Sequence, residues 1–431
     1  MRYLRNLTKE VTDGNLKKML HILWETPPYS SGGLAVASYD LALALNNSPT
    51  LKVDIATPTL QSSSISPDTG KQALTHYKIP LSNSTSLDLN IAYSNPTKNL
   101  TTLALFEQLS SQDLSLAQLD QLKENQEQHP DSISSFASAV RNCHFTSYHS
   151  IHAHDWMTAS AAAMAKTSHL PAKPPLVLHL HSTQLERHGL QSRGSLFHHE
   201  LWAMQQADII ITVSQLSKEI ITQHYQIPAS KIHVAHNSSN SPDQRPKVKD
   251  PKQHKTILFA ARLVDQKSPE LAVEIISRVL RKTPNTKAII AGDGEKLAAI
   301  RALVKFKKIS DRVEVIGQVP HDKMHIVYAS SDILILPSAL EPFGLVALEA
   351  AYAGVAVVLS DCCGAAEILS SAPTISIQDI DLWENTITHL IQNDSARNSL
   401  ISKQTKEVQS HSWEPAANTV THAVSTYSPL S

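Results

Sequence analysis

The feature that most narrows the fold is an alternation repeated along the chain: short, wholly apolar runs, each followed by a stretch with helical spacing. In the first half Met19–Trp24, Val53–Ala56, Ile151–Ala153, Leu176–Leu180 and Ile209–Val213 are such runs, and Leu34–Leu45 carries the first helical pattern. In the second half the runs are Thr256–Ala260, Lys287–Ala291, Val313–Ile316, Ile333–Leu336 and Ala356–Leu359. Near-continuous apolar strands are those of a parallel sheet covered by helices on both faces. Ser241–Pro251, polar and with three prolines, separates the two series and reads as an interdomain linker. At 431 residues the chain also exceeds what one hydrophobic core usually serves.

The expectation is therefore an α/β chain of two doubly wound, Rossmann-like domains facing each other across a cleft. Residues 19–245 form the first domain and 252–411 the second, with an extension over 1–18 and a closing helix over 412–431 that packs back on the first domain. Between them, 61–100 carries weaker strand signals at Tyr77–Pro80 and Leu87–Tyr93, and 101–142 favours helix.

Charge and cysteine usage exclude several classes. The 38 basic and 39 acidic residues nearly cancel, with no basic run to follow a phosphate backbone, so nucleic acid is not the expected partner. No segment approaches the roughly 18 to 20 apolar residues that span a bilayer, and no secretory signal is evident, which points to a soluble, cytoplasmic protein. The three cysteines, with Cys362 and Cys363 adjacent, have neither disulfide-framework nor metal-ligand spacing. There is no Asp-x-Asp triplet to hold a divalent ion against a diphosphate, so no metal is expected.

Open parallel sheets bind ligands beyond the carboxyl ends of their strands, where loops and helix N-termini offer unpaired backbone N–H groups. In the second half those ends carry Arg262 with Lys267, the Ala291–Glu295 turn, Pro337–Glu341 and Ser360-Asp361. The densest constellation is Glu341-Pro-Phe343-Gly344-Leu345-Val-Ala-Leu-Glu349. Phe343, Gly344 and Leu345 are expected in the first helical turn, where the dipole favours a diphosphate. Glu341 can then accept from sugar hydroxyls and Glu349, two turns on, can reach a ribose; the alternative is a carboxylate that stabilises the helix dipole and a second Glu on a solvated face. On the first-domain side His154 is preferred over His152, which is expected to face the other way, and His179 and His181 share a face with His181 nearer the cleft.

Glu341–Glu349 together with Phe259–Lys267 resembles the donor-site signature of family 4 and related glycogen-synthase-like retaining glycosyltransferases of the GT-B fold. Gly32-Gly33 is similar to their glycine loop after the first strand, His152–Trp156 to a strand end of their first domain, and His181–Gly189 to a later one. The likeness runs in order over residues 19–415 and is weakest between 60 and 140. It implies a nucleotide-sugar donor on the second domain, a carbohydrate or other hydroxyl acceptor on the first, retention of anomeric configuration and no cofactor. By the same resemblance Glu341, His154 and His181 are catalytic; Gly33, Arg262, Lys267, Phe343, Gly344, Leu345 and Glu349 bind donor; Gln184 and Arg187 lie on the acceptor side. The chain departs from the pattern at Ala261 and Ser268, where glycine is usual, at Gln184 for Glu, at Ala356 for proline and across Asn237–Asn240. Phosphorylase-like transfer and a catalytically silent glycan- or nucleotide-binding protein are the alternatives.

Overall fold

The computed structural model describes residues 16–24, 33–59, 67–69, 74–81, 132–143, 145, 147–167, 173–239 and 254–428. The expected strand over 87–93, the helical stretch before 132, most of the glycine loop after the first strand and the linker over 241–251 lie outside the described residues.

The first sheet comprises β1 (Lys17–Ile22), β2 (Leu51–Thr59), β3 (Pro67–Thr69), β4 (Thr75–Pro80), β5 (Ser150–His154), β6 (Leu176–Leu180), β7 (Ile209–Thr212) and β8 (Ile232–Val234). Its order is β3-β4-β2-β1-β5-β6-β7-β8, parallel except for the β3–β4 pair. The second sheet comprises β9 (Lys255–Ala260), β10 (Thr286–Ala291), β11 (Val313–Gly317), β12 (Ile333–Leu336), β13 (Ala356–Ser360) and β14 (Thr374–Ile375). Its order, β11-β10-β9-β12-β13-β14, reverses between β9 and β12 and is that of a dinucleotide-binding sheet.

Strand pleating sorts the first domain into two cores. Leu20, Ile22, Ile151, Ala153, Leu176 and Leu178 join one cluster, while Met19, Leu23, Val177, Ile209 and Ile211 join the other. Helix α1 (Gly33–Asn46) and the C-terminal helix, here α13 (Trp413–Thr426), cover that second face; Trp413, Ala416 and Val420 pack against Ala37, Leu41 and Leu45. Tyr427 ties the end of the chain to the first domain by donating to Asp208 Oδ1 at 2.8 Å.

The other helices are α2 (Ser132–Asn142), α3 (Trp156–Thr167), α4 (Gln184–His188), α5 (Ser195–Gln206), α6 (Gln215–His224), α7 (Pro269–Lys282), α8 (Leu297–Phe306), α9 (Met324–Ala329), α10 (Leu345–Tyr352), α11 (Ile380–Gln392) and α12 (Asp394–Gln409). Among the described residues no helix is long and apolar enough to cross a membrane.

Candidate active site

The carboxyl ends of both parallel sheets meet across one cleft. Glu367, after β13, accepts from the N–H groups of Gln215 (2.9 Å) and Leu216 (3.1 Å) at the start of α6 and from His236 Nε2 at 2.7 Å. A carboxylate at a helix N-terminus satisfies orphan donors and the dipole together. These bonds and the His236 ring hold Glu367 below its ordinary range against the opposing effect of burial. Gly364 is needed at this junction, since a Cβ there would stand 2.8 Å from Ser214 Cβ and 2.1 Å from the Pro342 carbonyl oxygen. Leu340 packs against the first-domain core, and a Cβ on Gly33 would lie 3.9 Å from Leu345. The glycine at the head of α1 thus faces the head of α10.

On the second-domain wall Lys267 Nζ meets Glu341 Oε2 at 2.6 Å, with only 13% and 10% of the two side chains exposed. Ser338 donates to the same oxygen at 3.2 Å. Glu341 is fixed by its backbone as well: its N–H donates to Cys362 O and its carbonyl accepts from Gly364 N. Helix α10 begins later than expected. Gly344 has φ +97 and caps the helix, so Phe343 and Gly344 precede the first turn, because a left-handed residue breaks the helical path. Phe343 is buried and its carbonyl accepts from Ala365 N at 2.7 Å. Leu345 opens the helix, whose first N–H groups have no intrahelical acceptor. One side of α10 presents Glu349, whose Oε2 accepts from Tyr328 Oη at 2.6 Å. Arg262 is half-buried, and its charge, after burial and Arg187, depresses His188 at the end of α4 on the facing domain.

The first-domain wall is built differently from the expectation. His152 and His154 share one face of β5 rather than opposite faces, because two residues make a full pleat period. His154 is buried and bonded through Nδ1 to His181 Nε2 at 3.1 Å. Burial takes His181 down to about 4 and His154 well below the ordinary imidazole range, so both rings are neutral. Gln184 and Arg187 are buried in α4. Arg187 pairs with Glu200 at 2.6 Å and donates to the Ser182 carbonyl, so its guanidinium is committed within the domain. Gln184 donates from its backbone to Glu200 and from Nε2 to Ser192, leaving Oε1 without a partner among the described residues.

Several residues of the site escaped the sequence reading. Thr183 and Glu186 form a capping box that starts α4, a Thr-x-x-Glu pattern that was legible. Asp155 stands at φ +56 after β5 and accepts from His181 N at 2.7 Å; burial raises its carboxyl to about 6. Asp40 on α1 is likewise raised to about 6, first by burial, with the Glu349 charge adding to the rise against His321. Neither Asp40 nor Tyr328 had a local signal, since both act across a gap in sequence. Among the described residues no three His, Cys, Asp or Glu side chains converge to hold a metal.

Two facing doubly wound domains with the second carrying a cation–carboxylate pair at a glycine-capped helix define a GT-B protein. Models of two adjoining families match the chain, glycosyltransferase family 4 over residues 122–240 and glycosyl transferases group 1 over 240–407. The chain belongs to the group 1 glycosyltransferases of the GT-B fold. It is 33% identical over 237 residues to an uncharacterized glycosyltransferase of Methanocaldococcus jannaschii, covering 52% of this chain and 60% of the relative. It is 29% identical over 230 residues to glycogen synthase of Mycobacterium tuberculosis, covering 52% and 55%. The chain thus matches little more than half the length of these curated relatives. In structure it resembles sucrose-phosphate synthase of Thermosynechococcus elongatus, with TM-score 0.71, 18% identity and coverage of 94% and 98%. An Anabaena protein solved in complex with UDP and glucose superposes with TM-score 0.64, 18% identity and coverage of 95% and 100%.

Proposed function

We propose that this protein is a hexosyltransferase that moves a sugar from a nucleotide-sugar donor to an acceptor hydroxyl with retention and without a metal ion. The observation that carries the reading is the Lys267–Glu341 pair, nearly buried and set beside the Gly344-capped start of α10. Breaking a glycosyl phosphate bond leaves charge on the diphosphate; on this reading Lys267, Arg262 and the N–H groups that open α10 stabilise it as it develops. Glu341 lies where it can take hydrogen bonds from the sugar, and Glu349 where it can take them from a ribose. The acceptor hydroxyl attacks C1 of the sugar, its proton leaves with the departing phosphate, and His181 binds from the first-domain side with His154 buried behind it. The Anabaena neighbour with UDP and glucose supports a uridine nucleotide as the donor to try first. A cytoplasmic location fits three free cysteines, two of them buried.

The test is turnover of a panel of nucleotide sugars in excess EDTA, with the product anomer read by NMR. Transfer with retention is expected in chelator. Inversion, or loss of activity restored only by a divalent ion, would show the reading of the site to be wrong.

A further inference from the structure

Four buried histidines on one face of the first sheet, His21, His152, His154 and His179, form a ladder that ends on the partly exposed His181 just beyond β6. Strand register places them there: β1 pairs His21 with His152 on β5, and β5 pairs His154 with His179 on β6. Neighbouring strands lie ~4.8 Å apart, so registered rings stack, His21 on His152 at 4.3 Å and His154 on His179 at 4.4 Å, both within 8° of parallel. Hydrogen bonds then run diagonally. His21 Nδ1 meets His154 Nε2 at 3.0 Å, and His154 Nδ1 meets His181 Nε2 at 3.1 Å. A second line runs from Ser150 Oγ through His152 to His179 at 2.7 and 2.9 Å.

The line His21–His154–His181 has a countable set of protons. Among the described residues no carboxylate bonds any of its rings, and burial keeps all three neutral. A neutral imidazole carries one N–H and one acceptor nitrogen. Each of the two bridges needs one proton, so the third sits at one end, on His21 Nε2 or on His181 Nδ1. Both end nitrogens are buried and without a partner among the described residues. The inner end, deep in β1, has none to gain, and an orphaned buried N–H is rarer than an under-satisfied acceptor. Of the two end residues His21 is fully buried, whereas His181 lies just beyond β6 at the rim and is partly exposed, so only that end stands beside the space a substrate oxygen would enter.

We infer that the ladder locks His154 and His181 as Nδ1–H tautomers, so that His181 presents a hydrogen-bond donor to an oxygen of the bound sugar substrate and His21 acts as a remote positioning residue. The rings tautomerise only together, so what His21 offers to His154 decides what His181 offers to the substrate. This deepens the proposed transfer reaction and rests on it for the role of His181, though not for the tautomers.

The test compares His21→Gln, whose amide can donate to His154 Nε2, with His21→Met, whose sulfur can only accept. Nitrogen-15 NMR of histidine-labelled protein without substrate is expected to find His154 and His181 protonated at Nδ1 in wild type and His21→Gln. In His21→Met they are expected to move toward Nε2. Wild-type rings protonated at Nε2 overturn the inference. In steady-state kinetics His21→Met is expected to lower kcat about tenfold more than His21→Gln, with nucleoside diphosphate affinity the same in both, one factor of ten being the size of a single weak hydrogen bond. Equal kcat in the two folded variants overturns the donor role of His181. Absence of turnover by wild type with every nucleotide sugar removes the proposed reaction and leaves the NMR result to decide the tautomers.

Discussion

Lys267 and Glu341 hold each other at 2.6 Å, so on the proposed reading a diphosphate would compete with the carboxylate for the ammonium. Removing the Glu341 charge should therefore separate chemistry from affinity. Glu341→Gln is expected to lower kcat at least ~10-fold while nucleoside diphosphate binds as well as before or more tightly, because Lys267 is released. Glu349→Ala should act the other way, weakening nucleoside diphosphate by ~1 to 3 kcal/mol through lost hydrogen bonds with a smaller effect on kcat. Calorimetric titration and steady-state kinetics on the two folded variants check this; parallel losses in both would reduce the carboxylates to structural roles. That these two glutamates bracket a helix start was legible in their spacing. Their partners were not: Lys267 lies 74 residues from Glu341 and Tyr328 lies 21 from Glu349, separations at which only packing decides contact.

The loops at the cleft are set by a few backbone conformations. Ser268 stands where the family pattern has glycine, and it adopts φ +49, ψ +52 at the head of α7. A left-handed residue with a Cβ costs ~1 to 2 kcal/mol, part of which glycine returns as unfolded-state entropy. Ser268→Gly is thus expected to raise stability by ~0.5 to 1 kcal/mol in urea denaturation. Gly344→Ala should lower it by at least ~1 kcal/mol, since its Cβ would also press on Glu341 Cγ at 3.2 Å and Cys363 Sγ at 3.4 Å. A stabilising Gly344→Ala would contradict the φ-based account. The same positions explain which element boundaries the sequence left open. The strands with an apolar run were recognised to within two residues, apart from β2, which runs on to Thr59, because such runs are local; the short β3, β8 and β14 were not read as strands, and the start of α10 depends on one dihedral at Gly344.

Across the molecule, burial of titratable groups links stability to pH. His21 at about 3, His181 and His199 at about 4, and His152, His154 and His179 well below the ordinary range stay neutral in the fold. Unfolded, they take up protons below pH ~6.5, so their contribution is present above that pH and is lost as pH falls toward the folded values. Asp40 and Asp155 at about 6 and Glu200 at about 7 oppose this: their native protons are released on unfolding between pH ~4 and 7. The six histidines outnumber the three carboxyls, so near pH 5 the unfolded chain binds more protons. Stability should fall from pH 6.5 to 4.5 by ~1.4 kcal/mol per pH unit for each net proton. Urea midpoints that stay level or rise over that range would contradict the neutral ladder.

The sequence by itself determined the class of fold and the ends of the strands where chemistry gathers, because apolar runs, helix spacing and loop residues are properties of neighbours in the chain. It also placed Arg262, Lys267, Glu341 and Glu349 on one domain and His154 and His181 on the other. Only the tertiary structure decided that Lys267 grips Glu341, that Arg187 pairs with Glu200, and that Glu367 bonds the N-terminus of a first-domain helix. The two-residue pleat period aligns His152 with His154 and His179 with His181, but only strand register, which no local pattern encodes, brought those pairs together with His21. Contacts between distant segments depend on which faces the sheets bury and on the desolvation that follows, and those are settled by the assembled cores.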